Sequence, residues 1–237
     1  MKNFNLLIVV AIASLFFCPI ANAAEILDDW TPYVDLGNVN FTPNGTSVDM
    51  TAEGSAGEAW GKLEKIFNHA IGMLADVKVT AVNGNGNIGI RKYLGKNQIG
   101  NWVLIELYLQ IWDGRYSIRW KVREKDKDYI TIRDYTSGYL GNTDGAWTVG
   151  QTYNIGFAYY DNEFIIYEPN NGAYTKVKLF EQINYISDTN CNLFIYSDAG
   201  ASNNISGTVS NVNILYKNNL MSLSGAVNRK SVVIPLY

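Results

Sequence analysis

Between Trp102 and Trp112 the chain alternates without a break. Val103, Ile105, Leu107, Leu109 and Ile111 fall on one parity, and Leu104, Glu106, Tyr108, Gln110 and Trp112 on the other. Successive side chains of an extended strand point to opposite faces, so the aliphatic set belongs in a core and the mixed set outside it. Asp113-Gly114 follows as a two-residue hairpin signal. The return run from Arg115 to Arg123 repeats the code. Tyr116, Ile118, Trp120 and Val122 face one way; Ser117, Arg119, Lys121 and Arg123 face the other. After a polar turn, the next run is expected to turn Ile130 and Ile132 inward and Thr131, Arg133 and Tyr135 outward.

The same texture fills the rest of the chain. Residues 72–80 and 87–93 read as strands on either side of an Asn-Gly-rich turn. Residues 151–160 and 163–168 read as a hairpin across Asp161-Asn162, and further runs lie at 176–180, 193–197, 205–216 and 232–236. Residues 58–75 show some helical periodicity through Trp60, Leu63 and Phe67. Gly57, Gly61 and Gly72 would weaken a helix, which favours strand. With 16 Tyr, 9 Phe and 6 Trp in 237 residues, the composition suits pleated sheets. So many strands without helices imply an all-β, two-sheet antiparallel sandwich with a solvent-facing concavity on one sheet.

The N-terminus carries an export signature. Lys2 precedes an apolar run from Leu6 to Phe17, and Ala21-Asn22-Ala23 forms an A-x-A cleavage site. Residues 1–23 are therefore expected to be a signal peptide, with a secreted or periplasmic mature chain and no membrane span after cleavage. The apolar run is short for a membrane anchor, which needs about 20 residues. Bulky Phe17 disfavours a lipoprotein reading of Cys18. Removing the signal leaves Cys191 as the one cysteine, so no internal disulfide can form. A half-buried, inert thiol is expected there. The formal charge of −3 gives no basic footprint for nucleic acid or an anionic membrane.

Two stretches carry a family resemblance. Trp147-Thr148-Val149-Gly150-Gln151-Thr152-Tyr153 leads into Asp161-Asn162-Glu163-Phe164-Ile165-Ile166-Tyr167, and Gly207 to Ile214 closes a late strand. They resemble the strand pair and closing strand of concanavalin A-like lectin/glucanase domains, laminin-G-like sandwiches included, with Ser210 where an Asp is usual. Asp29-Trp30 and the run from Met73 to Val79 fit as well. The resemblance implies a concanavalin A-like jelly roll over residues 24–217. It leaves 218–237 as a C-terminal tail able to add a strand or to pair with a neighbour's edge.

Chemistry is sparser. His69 is the one histidine, there is no Gly-x-Ser-x-Gly elbow, and one His with one Cys cannot build a typical zinc site. Glucanases of the resembled fold carry an E-x-D-x-x-E strand. The nearest approach here, Glu124-Lys125-Asp126-Lys127-Asp128, reads as a charged turn. Glycan binding needs aromatic platforms and planar polar groups. Arg91, Tyr93, Glu106, Tyr108, Gln110, Trp112, Arg119 and Arg133 are the candidate ligand-binding residues, with Tyr135 near them; no catalytic set is assigned. The arginines near Glu106 suit an acidic group as well. Cross-strand pairing on a wet sheet face is the alternative explanation for these residues. No cofactor is expected, except that calcium is a candidate at the Asp- and Asn-rich loops 188–192 and 198–204. Three functions remain open: a lectin-like, non-catalytic carbohydrate-binding module, a polysaccharide hydrolase or lyase, and a structural or adhesive surface protein that self-associates through its tail. N-terminal sequencing of the exported protein is expected to read from Ala24; retention of residue 1 would exclude cleavage.

Overall fold

The computed structural model describes residues 23–97, 99–126, 130–160, 163–167, 174–178, 190–217 and 229–231. The signal segment and most of the tail lie outside them. Among the described residues a short 3-10 turn at Leu27–Asp29 precedes the strands. In chain order these are β1 (Thr31–Leu36), β2 (Asn38–Asn44), β3 (Ser47–Glu53), β4 (Ala59–Ile66), β5 (Gly72–Asn83), β6 (Gly86–Lys96), β7 (Trp102–Trp112) and β8 (Arg115–Lys125). They continue as β9 (Thr131–Leu140), β10 (Thr152–Tyr160), β11 (Glu163–Tyr167), β12 (Tyr174–Lys178), β13 (Asn190–Ser197), β14 (Asn204–Leu215) and β15 (Arg229–Ser231).

Two sheets stack face to face. One has the order β1-β4-β13-β6-β7-β8-β9, the other β15-β12-β11-β10-β5-β14-β3-β2. Every pairing is antiparallel except β12 with β15, where Arg229–Ser231 runs parallel to Tyr174–Lys176. The helical periodicity around Trp60 is overridden by sheet pairing, since Ala59–Ile66 sits between β1 and β13. β5 and β6 flank the Asn-Gly turn without forming a hairpin. β5 joins β10 and β14, while β6 joins β7 and β13 in the opposite sheet. The turn at Gly84, with φ +76°, carries the chain across the sandwich.

The β7–β8 hairpin has the register of its sequence code, from Trp102 opposite Lys125 to Trp112 opposite Arg115. Asp113 and Gly114 both have positive φ, 49° and 75°, as the tight turn requires. Trp147 locks this hairpin from below. Its indole N–H donates to the carbonyls of Gln110 and Ser117 at 3.0 and 3.1 Å, and its ring meets Tyr116 at 4.7 Å. The rest of that motif is local bracing. Gly150 takes φ +85°, and the Tyr153 hydroxyl accepts from the Thr148 amide at 2.9 Å.

The core between the sheets is mainly aliphatic and aromatic, and it also takes in a lysine. Lys92 is 1% exposed on the same strand face as Ile88 and Ile90. Its ammonium donates to the Tyr93 carbonyl at 3.2 Å, and its cross-strand neighbour is Cys191. Cys191 is fully buried, not half-buried, because β13 is an inner strand with partners on both sides. Burial lowers the Lys92 pKa to about 8, with Cys191 working weakly the other way. Burial likewise raises the thiol to about 11.

These shifts oppose each other. From pH 8 to 10.5 the unfolded chain holds a Lys92 proton that the folded chain has released, so stability rises. From pH 9 to 11 the folded chain keeps a thiol proton that the unfolded one has lost, so stability falls. Denaturant titrations of Cys191→Ala across this range are expected to show the rise alone, worth on the order of 3 kcal/mol. Lys92→Met is expected to show the fall alone and to unfold at higher temperature at pH 7. A Lys92→Met protein less stable than the parent at pH 7 would contradict a net cost of burying the amine.

Candidate functional site

The outer face of the seven-stranded sheet is a groove of about 1260 Å³. Its floor is the second parity of β6, β7, β8 and β13, and its far wall comes from β1 and β4. Arg91, Tyr93, Glu106, Tyr108, Gln110, Trp112 and Arg119 all line it. The face is much drier than alternation alone implies. Leu104, Glu106, Tyr108 and Gln110 are buried, because neighbouring side chains of the curved sheet stand over them; Trp112, at the end of β7, is 42% exposed.

Arg133 sits at a break in the pairing of β8 with β9. A register shift between Val122 and Arg123 places Asp134 opposite Arg123 and Arg133 opposite Glu124. Glu124 is on the other parity of β8, so the groove side receives Asp134 at this point. The side chains of Arg133 and Tyr135 lie outside the described residues. Ile130, expected inward, is exposed, since it precedes β9. His69 is exposed, with φ +61°.

Glu106 is the centre of the floor. Its carboxylate pairs with Arg91 from β6 and, at 3.2 Å, with Arg123 from β8. Arg123 also holds Asp134 at 3.2 Å, which extends the cluster to β9. Burial pushes the Glu106 pKa up, but the charges of Arg91, Arg123 and Lys125 outweigh it and hold the carboxyl below its usual range. Burial and the Glu106 charge push the Tyr108 hydroxyl up, so it stays a neutral phenol.

Aromatic rings frame the arginine. The Arg91 guanidinium lies 5.2 Å from the Trp60 ring and 4.7 Å from Phe194, while its Nε and Nη1 are buried without a hydrogen-bond partner. Tyr108 meets Phe194 edge-on at 5.8 Å. Gly89 stands opposite both residues and lets them pack close; a Cβ at this point would fall 2.3 Å from the Leu107 carbonyl oxygen and 2.6 Å from the Tyr108 Cβ. On the far wall Lys62 pairs with Glu64 at 2.5 Å and sits 5.1 Å from the Tyr33 ring.

Several groove residues escape sequence reasoning. Phe194 and Tyr196 lie in a run apolar on both parities, so alternation does not say which side faces out. Trp60 is masked by its helical spacing. Arg123, by contrast, shares the parity of Arg119 and was legible.

Glu124 takes no part in the groove. It is buried, and it accepts from the amides of Asn97 and Asn101 at 2.8 and 2.6 Å. Asp126 closes the turn by accepting from the Ile130 amide at 2.9 Å. In the loop 198–204, Asp198 accepts from Asn85, Tyr196 and the Ala199 amide. Among the described residues no three His, Cys, Asp or Glu side chains gather as a metal site, and Asp188 lies outside them.

No family model matches the chain, and no curated protein does. Solved structures do match. A functionally unknown protein from Saccharomyces cerevisiae superposes with TM-score 0.54 at 11% identity, over 81% of this chain and 98% of that one. A prokaryotic β-1,3-1,4-glucanase (lichenase) derived from a mouse hindgut metagenome gives 0.51 at 11% identity, over 80% and 96%. A glycoside hydrolase family 16 endo-glucanase from Bacteroides ovatus gives 0.50 at 14% identity, over 78% and 94%. The fold is a concanavalin A-like jelly roll. No helix among the described residues is long and apolar enough to cross a membrane.

Glu106→Gln is expected to destabilise the jelly roll by about 3 kcal/mol, since it strands two arginines beside a neutral amide. The carboxylate's contribution is present above the ordinary carboxylate pKa and fades as pH falls through its lowered folded value. The variant should therefore lose less stability than the parent on acidification in denaturant titrations. Equal acid slopes would remove Glu106 from the account.

Proposed function

We propose that the chain is a secreted or periplasmic, non-catalytic binding module that holds carbohydrate in this groove. One observation carries the reading. The floor carboxylate, Glu106, is clamped between two arginines and held ionised. A glycosidase acid needs the opposite, a raised pKa and a free proton, with a second carboxyl at about 5–5.5 Å or 6.5–9.5 Å. The groove side of β7 offers Leu104, Tyr108, Gln110 and Trp112 beside Glu106, and no second acid. What the groove offers instead is binding chemistry: an aromatic edge at Trp112, amide and phenol groups at Gln110 and Tyr108, and a stacked guanidinium at Arg91 of β6.

A polysaccharide hydrolase is the second reading, favoured by the likeness in fold to the lichenase and the endo-glucanase. The two readings separate on turnover. Calorimetric titration against a broad polysaccharide panel is expected to show binding without release of reducing ends. Trp112→Ala should weaken it by about tenfold, the loss of one stacking platform. Reducing-end release by the parent chain would establish the hydrolase instead.

A further inference from the structure

The groove is electrically lopsided. Arg119, Lys121, Arg123 and Lys125 stand at alternate positions of β8, all toward the groove. Their counter-charges are few. Glu106 is taken by Arg91 and Arg123, and Asp134 lies 3.2 Å from Arg123 and 3.7 Å from Lys121. Arg119 has no carboxylate partner among the described residues. Its guanidinium lies 5.4 Å from the Tyr139 ring, and its Nε is buried without a hydrogen-bond acceptor. Of the other acids that line the groove, Glu58 and Glu64 stand across it on or beside β4, Asp113 lies at the β7–β8 turn, and Asp35 of β1 reaches Lys125 electrostatically. The chain as a whole is acidic at −3, so this ridge is not the by-product of a basic protein.

The ridge is under electrostatic pressure. Lys121 and Lys125 have lowered pKa values, through burial first and then through the neighbouring arginines. Four cations at alternate positions of one strand repel each other, and like charges on a sheet face are destabilising. An anion on the ridge would relieve that repulsion. Arginine adds a planar fork that matches carboxylate or sulfate oxygens two at a time.

We infer that the groove takes an acidic polysaccharide, with carboxylate or sulfate groups of the polymer lying along β8 between Arg119 and Lys125. This rests on the glycan reading of the groove and specifies its ligand class. Neutral rings of the polymer would lie toward Trp112 and Tyr108, and its acidic groups toward the basic ridge.

The test is calorimetric titration of the full chain with a polyuronate, a sulfated dextran and a neutral β-glucan, with single-stranded DNA as a polyanion of other chemistry. One acidic polysaccharide should bind about tenfold or more tighter than the neutral one, and the better of the two names the group. That advantage should shrink between about 0.05 M and 0.5 M salt, as screening requires. Arg119→Gln with Lys121→Gln should cost about tenfold or more for the acidic polymer, with a thermal midpoint no lower than the parent's as proof of folding. The charge-keeping pair Arg119→Lys with Lys121→Arg should retain most of the affinity. Arg123 is left alone, because it also braces Glu106. Equal or tighter binding of the neutral glucan overturns the inference and leaves the glycan reading standing. DNA binding as tightly as the acidic glycan overturns it too, as charge without sugar. No binding to any polysaccharide overturns the glycan reading itself.

Discussion

A buried carboxylate between two arginines sets the geometry of the groove. Arg91, Glu106 and Arg123 come from three adjacent strands, and Asp134 adds a fourth. Removing a charge from water is costly unless an opposite charge meets it at close range, so each partner holds the others in place. The strands that carry them are thereby tied side by side on a face that hydrophobic packing does not fill. The rings of Trp60, Phe194 and Tyr108 close around the cluster and shield it. A floor built this way is rigid and polar at once, as selective binding in an open cleft requires.

The two faces of the seven-stranded sheet solve different problems. The inner face packs against the second sheet and is mainly aliphatic and aromatic, with Lys92 buried among the apolar side chains. That lysine and Cys191 sit in the one stretch of core where a charge is buried beside a thiol, and burial dominates both pKa values. The sandwich has no disulfide among its described residues, so its stability depends on core packing and on the strand ladders. Trp147 shows how the faces are coupled. It lies in the core, yet its indole holds the backbone of the hairpin that bears Gln110 and Ser117.

Much of this was legible where a strand has one apolar and one polar parity. β7 and β8 read correctly residue by residue, and seven of the eight candidate binding residues line one groove. Legibility failed where the period breaks. The register shift between Val122 and Arg123 moves Arg133 to the parity of Glu124 and brings Asp134 opposite Arg123. A bulge adds one residue to one strand, and composition carries no mark of it. It failed again at Phe194 and Tyr196, where both faces of an inner strand are buried and both parities are apolar.

From its sequence alone, this chain was committed to β-structure: strict alternation, Asp-Gly turns and abundant aromatics allow little else. The W-x-x-G-x-x-Y stretch pointed further, to a jelly roll, because its Gly and Tyr serve local bracing that a short motif can encode, while its Trp reaches the β7–β8 hairpin. Tertiary structure decided the rest. The face read as wet turned out to be the shielded floor of a groove, since exposure depends on curvature and on side chains from strands distant in sequence. Which acid met which arginine was likewise settled by the order of strands in the sheet. That order brings β13 between β4 and β6, far from its place in the chain, and no local pattern records it.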